Sequence, residues 1–250
     1  MNPENSSVKE LKGYSGSKVL LIGQDDHFFV RKYGQNNRNI ERLTELESKN
    51  IRVPKIINVQ NDYYDMEYIP NLDIKTYLTK NPTNNLVDFL LSTICKFKDI
   101  VIEERDFTDT FNTKLANCDF SLLPFSKDEL ISKLPKVLPV TTYHGDFTLE
   151  NILYNTKTDS FFLIDPLTTE YNSYVFDLAK LKQDVICQWF IRHDDFFLNT
   201  KLNVIDNALS KFDYYDNDYL LILMLLRVLP YTKTTLDRDF ILEWITKLWK

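Results

Sequence analysis

At 250 residues, 44% hydrophobic content, a net charge of -6 and a pI near 5.2, the chain can bury a full core and carries no surplus of cations. This balance excludes a phosphate backbone or an anionic membrane as the main partner, because both reward clustered Lys and Arg. Cys95, Cys118 and Cys187 lie far apart without a CxxC pair, which fits neither a zinc site nor a disulfide framework and suggests a reducing compartment. The opening residues are polar, without the basic start and apolar centre of a signal peptide. The longest apolar run, residues 219–226, is too short to span a bilayer. A cytoplasmic protein without membrane insertion and without nucleic-acid binding is expected.

In chain order, three of the five glycines, Gly13, Gly16 and Gly23, fall within the first 23 positions. Residues 18–22 and 27–33 read as strands across a turn at 23–26, preceded by the small-residue loop Gly13-Tyr14-Ser15-Gly16-Ser17. Residues 39–50 place Ile40, Leu43 and Leu46 at the three- and four-residue spacing of a half-buried helix, which ends before Pro54. Residues 55–59 and 63–69 predict two further strands, and Pro70-Asn71 breaks the pattern. Beyond lie predicted helices at 73–79, 86–104, 127–134, 175–191, 203–212, 218–229 and 236–249. A loop, strand, turn and strand interrupt them after residue 143. The fold class is therefore α+β, with an N-terminal antiparallel sheet lobe carrying one helix, residues 1–70, and a mostly helical lobe, residues 71–250. A ligand is expected in a cleft between lobes.

The interrupting segment, His144-Gly145-Asp146-Phe147-Thr148-Leu149-Glu150-Asn151-Ile152-Leu153 followed by Phe161-Phe162-Leu163-Ile164-Asp165, carries the chemistry. Phosphoryl transfer needs a carboxylate to orient and deprotonate the acceptor hydroxyl, and oxygen ligands that hold magnesium against the phosphates. Asp146, Asn151 and Asp165 suit these roles. With Phe29-Val30-Arg31-Lys32, Met66-Glu67-Tyr68-Ile69-Pro70 and Phe176-Asp177-Leu178-Ala179-Lys180-Leu181, the segment resembles the family of aminoglycoside phosphotransferases and choline kinases. These are small-molecule kinases with a bilobal, protein-kinase-like fold. The resemblance runs along nearly the whole chain in order.

What the resemblance implies can be stated residue by residue. Asp146 is the catalytic base, Asn151 and Asp165 hold Mg2+, His144 supports the loop, and Asp177 accepts hydrogen bonds from the loop backbone. Lys32 is the phosphate-binding lysine; only one of Arg31 and Lys32 can face the cleft, because side chains alternate across a strand. Its partner is Glu41, with Glu45 one turn later on the same face. Ser15, Gly16 and Ser17 lie over the ATP phosphates. Glu67 and Tyr68 belong to the linker whose backbone pairs with adenine. Pro166 departs from the glycine that follows the metal-binding Asp in many kinases, which makes a switching motion there less expected.

For the acceptor, Trp189, His193, Asp194, Asp195 and Arg227 stand out from apolar surroundings. Acidic residues suit an aminoglycoside or amino alcohol; a neutral sugar asks for mixed hydrogen-bonding groups and an aromatic face. Leu226-Arg227-Val228-Leu229-Pro230-Tyr231 resembles small kinase-like proteins linked to bacterial surface-polysaccharide synthesis. The expected activity is ATP-dependent phosphorylation of a hydroxyl on a small metabolite, sugar or amino alcohol. An aminoglycoside-inactivating kinase and a nucleotide-binding pseudokinase are the alternatives.

Overall fold

The structure, a computed structural model, describes residues 6–11, 18–24, 27–34, 37–194 and 198–250. The expected phosphate loop with Ser15, Gly16 and Ser17 lies outside the described residues, as does Asp195. Two compact units form. One comprises the chain up to Ile74 together with Asn151–Thr168; the other comprises Lys75–Glu150 and Thr169–Lys250. The sequence boundary after residue 70 leaves the hairpin of Asn151 and Asp165 with the helices, whereas the structure groups that hairpin with the sheet.

The sheet unit contains β1 (Ser6–Leu11), β2 (Val19–Gln24), β3 (His27–Tyr33), β4 (Ile56–Val59) and β5 (Tyr63–Glu67), antiparallel in the order β1-β2-β3-β5-β4. β1 was not expected from its polar sequence; it exists by pairing with β2 along its length. Gly23, expected in a turn, instead continues β2, and a side chain there would sit 2.6 Å from Ser7 Oγ and 2.8 Å from the Phe28 ring. Helix α1 (Asn37–Ser48) buries Leu43 and Leu46. A second, three-stranded sheet joins β6 (Asn71–Asp73) to the hairpin β9 (Ile152–Asn155) and β10 (Ser160–Leu163) in the order β10-β9-β6.

The helical unit holds α2 (Ile74–Lys80), whose first residue is grouped with the sheet unit, α3 (Asn84–Lys98), α4 (Thr108–Leu115), α5 (Lys127–Lys133), α6 (Tyr174–Cys187), α7 (Asn199–Leu209), α8 (Asp218–Val228) and α9 (Thr235–Leu248). Every residue from Leu220 to Leu226 of α8 is buried, as expected of a helix apolar on all sides, and α6, α7 and α9 surround the bundle interior with it. Phe107, Phe111, Tyr171 and Phe176 close one end as an aromatic cluster, with Phe107 and Phe176 edge to face at 5.2 Å.

Two departures from the sequence reading matter for the site. The helix expected over 86–104 stops at Lys98, and β7 (Val101–Asp106) pairs with β8 (Val137–Thr141). Pro139 in β8 argues against a strand, but a two-stranded ribbon tolerates a missing donor on its outer side. α6 ends at Gln188, whose left-handed φ of 57° caps it, and a short 3-10 turn, Trp189–Ile191, follows.

Candidate active site

β8 delivers the chain into Thr142, Tyr143, His144, Gly145 and Asp146, of which only Asp146 is not buried. Gly145 has φ 87°, a conformation a side chain would strain, and this turn brings successive amides to face one carboxyl group. Asp177 Oδ2 accepts the His144 N–H at 2.5 Å, and Asp177 Oδ1 accepts those of Gly145 at 2.9 Å and Phe147 at 3.3 Å. Seven residues on, and therefore on the same face of α6, Asp184 Oδ2 accepts the Leu149 N–H at 2.7 Å. Four buried loop amides are thus satisfied by two carboxyl groups of one helix. His144 is fully buried; its Nδ1 accepts the Asp146 N–H at 3.3 Å and its ring lies 5.9 Å from Phe147, which is a supporting arrangement.

Between the two carboxyls, one turn after Asp177, stands Lys180. Its ammonium lies 3.1 Å from Asp146 Oδ1, with the lysine side chain 7% exposed and the aspartate side chain 30% exposed. Burial raises the Asp146 pKa, but Lys180, with Arg227 and His144, outweighs burial and holds the carboxyl below its ordinary range. Asp146 is therefore an ionised acceptor at neutral pH. Glu150, in the same loop, goes the other way: burial and the Asp146 charge push it up against Arg192, Lys180 and Lys75. Lys180 and Asp184 were missed from sequence. Their signal is the i, i+3, i+7 spacing with Asp177 on a helix that is otherwise apolar and buried almost all round.

Burial pushes Asp184 up to about 8, reinforced by Glu150, and its Oδ1 has no hydrogen-bond partner among the described residues. Between about pH 4 and pH 8 the unfolded chain ionises this group while the fold keeps it protonated, so stability falls as pH rises across that window. Asp177, pushed up to about 7 mainly by burial, acts in the same direction. Asp184→Asn keeps an acceptor for Leu149 and cannot ionise. It should gain on the wild type as pH rises from 5 to 8, by up to about 4 kcal/mol in urea denaturation; an identical difference at both pH values refutes the assignment.

In the sheet unit, β3 sends Arg31 and Lys32 to opposite faces. Arg31 forks onto Asp65 at 2.7 and 3.0 Å and stacks over Tyr63 at 3.8 Å. Lys32 is 3% exposed and forms its ion pair with Asp165 Oδ1 at 2.7 Å. The expected pairing of Lys32 with Glu41 does not form. Glu41 is exposed, because α1 turns Leu43 and Leu46 inward and a residue two positions before Leu43 points about 200° away from it. Glu45 pairs within the helix to Arg42 at 2.9 Å. Glu67 closes β5, with its N–H bonded to Lys55 O at 2.8 Å and its carboxylate accepting from Lys55 N at 3.3 Å. Tyr68 is the first residue beyond the strand, its ring 6.1 Å from Phe28.

The β9–β10 hairpin brings Asn151 and Asp165 to one end: Ile152 pairs with Leu163, and Ile164 N–H donates to Asn151 O at 3.0 Å. Asp165 carries φ 54°, an unfavourable conformation for a side-chain residue, and it stands immediately before Pro166, whose ring limits relaxation of the backbone there. Its carboxylate is 39% exposed, so it can pair with Lys32 and still offer oxygen outward. One carboxylate and one amide oxygen fit magnesium, which retains waters and takes further oxygens from nucleotide phosphates rather than from a full protein cage.

A sheet unit with a buried Lys beside a carboxylate, joined to a helical unit with a backbone-locked HGD loop, defines the class of protein-kinase-like phosphotransferases. The chain belongs to the phosphotransferase enzyme family APH, whose model matches residues 7–197, and it is accordingly a small-molecule kinase acting on a hydroxyl. No curated protein matches it in sequence. Among solved structures it resembles choline kinase LicA from Streptococcus pneumoniae, at TM-score 0.57 and 15% identity over 97% of this chain and 91% of that one. It also resembles Plasmodium vivax ethanolamine kinase, at TM-score 0.53 and 16% identity over 97% and 82%. A third is a thermostable mutant of aminoglycoside phosphotransferase APH(4)-Ia in a ternary complex with ADP and hygromycin B, at TM-score 0.61 and 10% identity over 97% and 92%. Among the described residues no helix is long and apolar enough to cross a membrane.

Proposed function

We propose that this chain transfers the γ-phosphoryl group of ATP to a hydroxyl of a small metabolite, with Asp146 as the base. The acceptor oxygen bonds to the γ-phosphorus, the bond to the β,γ-bridging oxygen breaks, ADP departs, and the hydroxyl proton passes to the Asp146 carboxylate. The observation that carries this reading is an Asp146 kept ionised by Lys180 on a loop whose amides are fixed by Asp177 and Asp184. Such a group is positioned before the acceptor arrives, which is where a base gains its advantage.

Lys32 is assigned to the nucleotide phosphates. Asn151 and Asp165 are assigned to Mg2+, which when bound neutralises charge on the phosphate oxygens. Ser15, Gly16, Ser17, Glu67 and Tyr68 are assigned to the nucleotide, and Glu41 to the surface of α1. LicA has been solved with AMP and APH(4)-Ia with ADP, which supports an adenine nucleotide here. Asp165→Ala tests the metal assignment. Wild type should gain several degrees of thermal stability from ATP only when Mg2+ is present, and the variant should lose that gain. A magnesium-dependent shift that survives in Asp165→Ala removes this residue from the metal site.

A further inference from the structure

Within the helical unit, the end of α6, the turn after it, the start of α7 and the later part of α9 leave a cavity of about 300 Å3. Cys187, Gln188, Arg192, Asn199, Phe240 and Trp244 line it, with Asp194. The helix that locks the loop through Asp184 therefore reaches the cavity one turn later, and Arg192 on its wall acts electrostatically on Glu150 of the same loop. The volume is at the lower end for small-ligand pockets.

We propose that this cavity takes the acceptor, and that the acceptor is a neutral polyhydroxylated compound, a sugar or polyol, and not an ammonium-bearing alcohol. The inference rests on the kinase reading above and names the substrate class of that enzyme. Three observations carry it. First, the carboxylates at the cavity are already matched by internal cations: Asp194 pairs with Lys75 at 2.5 Å, and Asp237 behind the wall pairs with Arg192 at 2.6 Å and lies 2.9 Å from His193. An ammonium entering the site meets no unmatched negative charge among these described residues.

Second, the two tryptophan rings, Trp189 beside the cavity and Trp244 in its wall, are already engaged by cations. The Arg192 guanidinium lies 3.6 Å from the Trp189 ring centroid and the Lys247 ammonium 4.2 Å from that of Trp244. An aromatic cage for a quaternary ammonium depends on ring faces available to the ligand's own charge, and these two rings already carry a cation each. Third, the remaining groups are those that read hydroxyls. The Gln188 and Asn199 amides, linked by an N–H···O bond of 2.6 Å, each retain further donors or acceptors. Phe240, 5.9 Å from Trp189 and 6.4 Å from Trp244, supplies an apolar face against which the C–H side of a sugar ring can lie.

The test is acceptor-dependent ADP release by the full chain with Mg2+ and ATP. One panel holds neutral hexoses, pentoses and polyols; the other holds choline, ethanolamine and aminoglycosides. A neutral compound should give the highest kcat/KM. Asn199→Ala and Trp244→Phe should each raise its KM about tenfold while the KM for ATP stays within about twofold. A cationic compound preferred over every neutral one overturns the proposal, as does an acceptor KM unchanged in both variants. A neutral panel without any stimulation overturns it too. In that case slow ATP hydrolysis that disappears in Asp146→Asn shows that the phosphotransfer reading stands without it.

Discussion

Asp146→Asn should lower acceptor phosphorylation about 1,000-fold, within the range general-base catalysis supplies, while the dissociation constant for ATP stays within a few-fold. The amide fills the space of the carboxylate and retains an oxygen toward Lys180, 3.1 Å away in the wild type, but it cannot take a proton from the acceptor. It also leaves the buried Lys180 without its anion. Asp146 is 30% exposed and Gln183 Oε1 lies 3.4 Å from the ammonium, so the loss of stability is limited to roughly 1 kcal/mol. Single-turnover kinetics separate the loss of chemistry from any loss of nucleotide, and a melting curve shows that the variant is folded. Phosphorylation within tenfold of wild type takes the base assignment away from Asp146.

Asp177→Ala should be the most damaging change to the fold of the site. It strands the N–H groups of His144, Gly145 and Phe147 in a region without water access, at about 1–3 kcal/mol for each unsatisfied group before relaxation. Removing the carboxyl also relieves the burial that pushes it up to about 7, which offsets part of this. The net loss should be about 3–4 kcal/mol in urea denaturation. Asp177→Asn separates geometry from volume. Its oxygen can still accept from Gly145 and Phe147, but its amide then meets the His144 N–H donor to donor, so about half of the loss should remain. In both variants kcat should fall with little change in the KM for ATP, because the affected loop carries Asp146 and not the Lys32 to Asp165 pair. A KM for ATP that rises in step with the fall in kcat contradicts this division.

Much of the site was legible in the residues because its members are close in sequence. His144, Gly145 and Asp146 are consecutive, and Asn151 and Asp165 flank a hairpin whose strands pair residue for residue, so spacing places them directly. Asp177 was accessible through the resemblance alone, since its partners lie 30 to 33 residues away. Lys180 and Asp184 were not found. In a helix read only for apolar periodicity a buried lysine and aspartate look like solvated interruptions, and only the packing of α6 beneath the loop shows that both face inward. Glu41 differs for the converse reason: counting back from Pro54 fixes a position along the chain, but the rotation of α1 is set by burying Leu43 and Leu46, which leaves Glu41 exposed.

The sequence by itself determined the class of chemistry and the α+β division into a sheet-rich start and a helical remainder. Both depend on local pattern: strand alternation, helical periodicity and a short motif. The tertiary structure alone decided which strands exist where local signal is weak. β1 forms on β2, and β7 forms on a Pro-containing β8, because pairing energy is non-local. It alone also decided that Lys32 meets Asp165 across 133 residues, that one face of α6 holds the His144–Asp146 loop and pairs Lys180 with Asp146, and that Asp194 and Asp237 are matched by internal cations. Electrostatic balance belongs to groups brought together from distant positions, and no window of the sequence contains it.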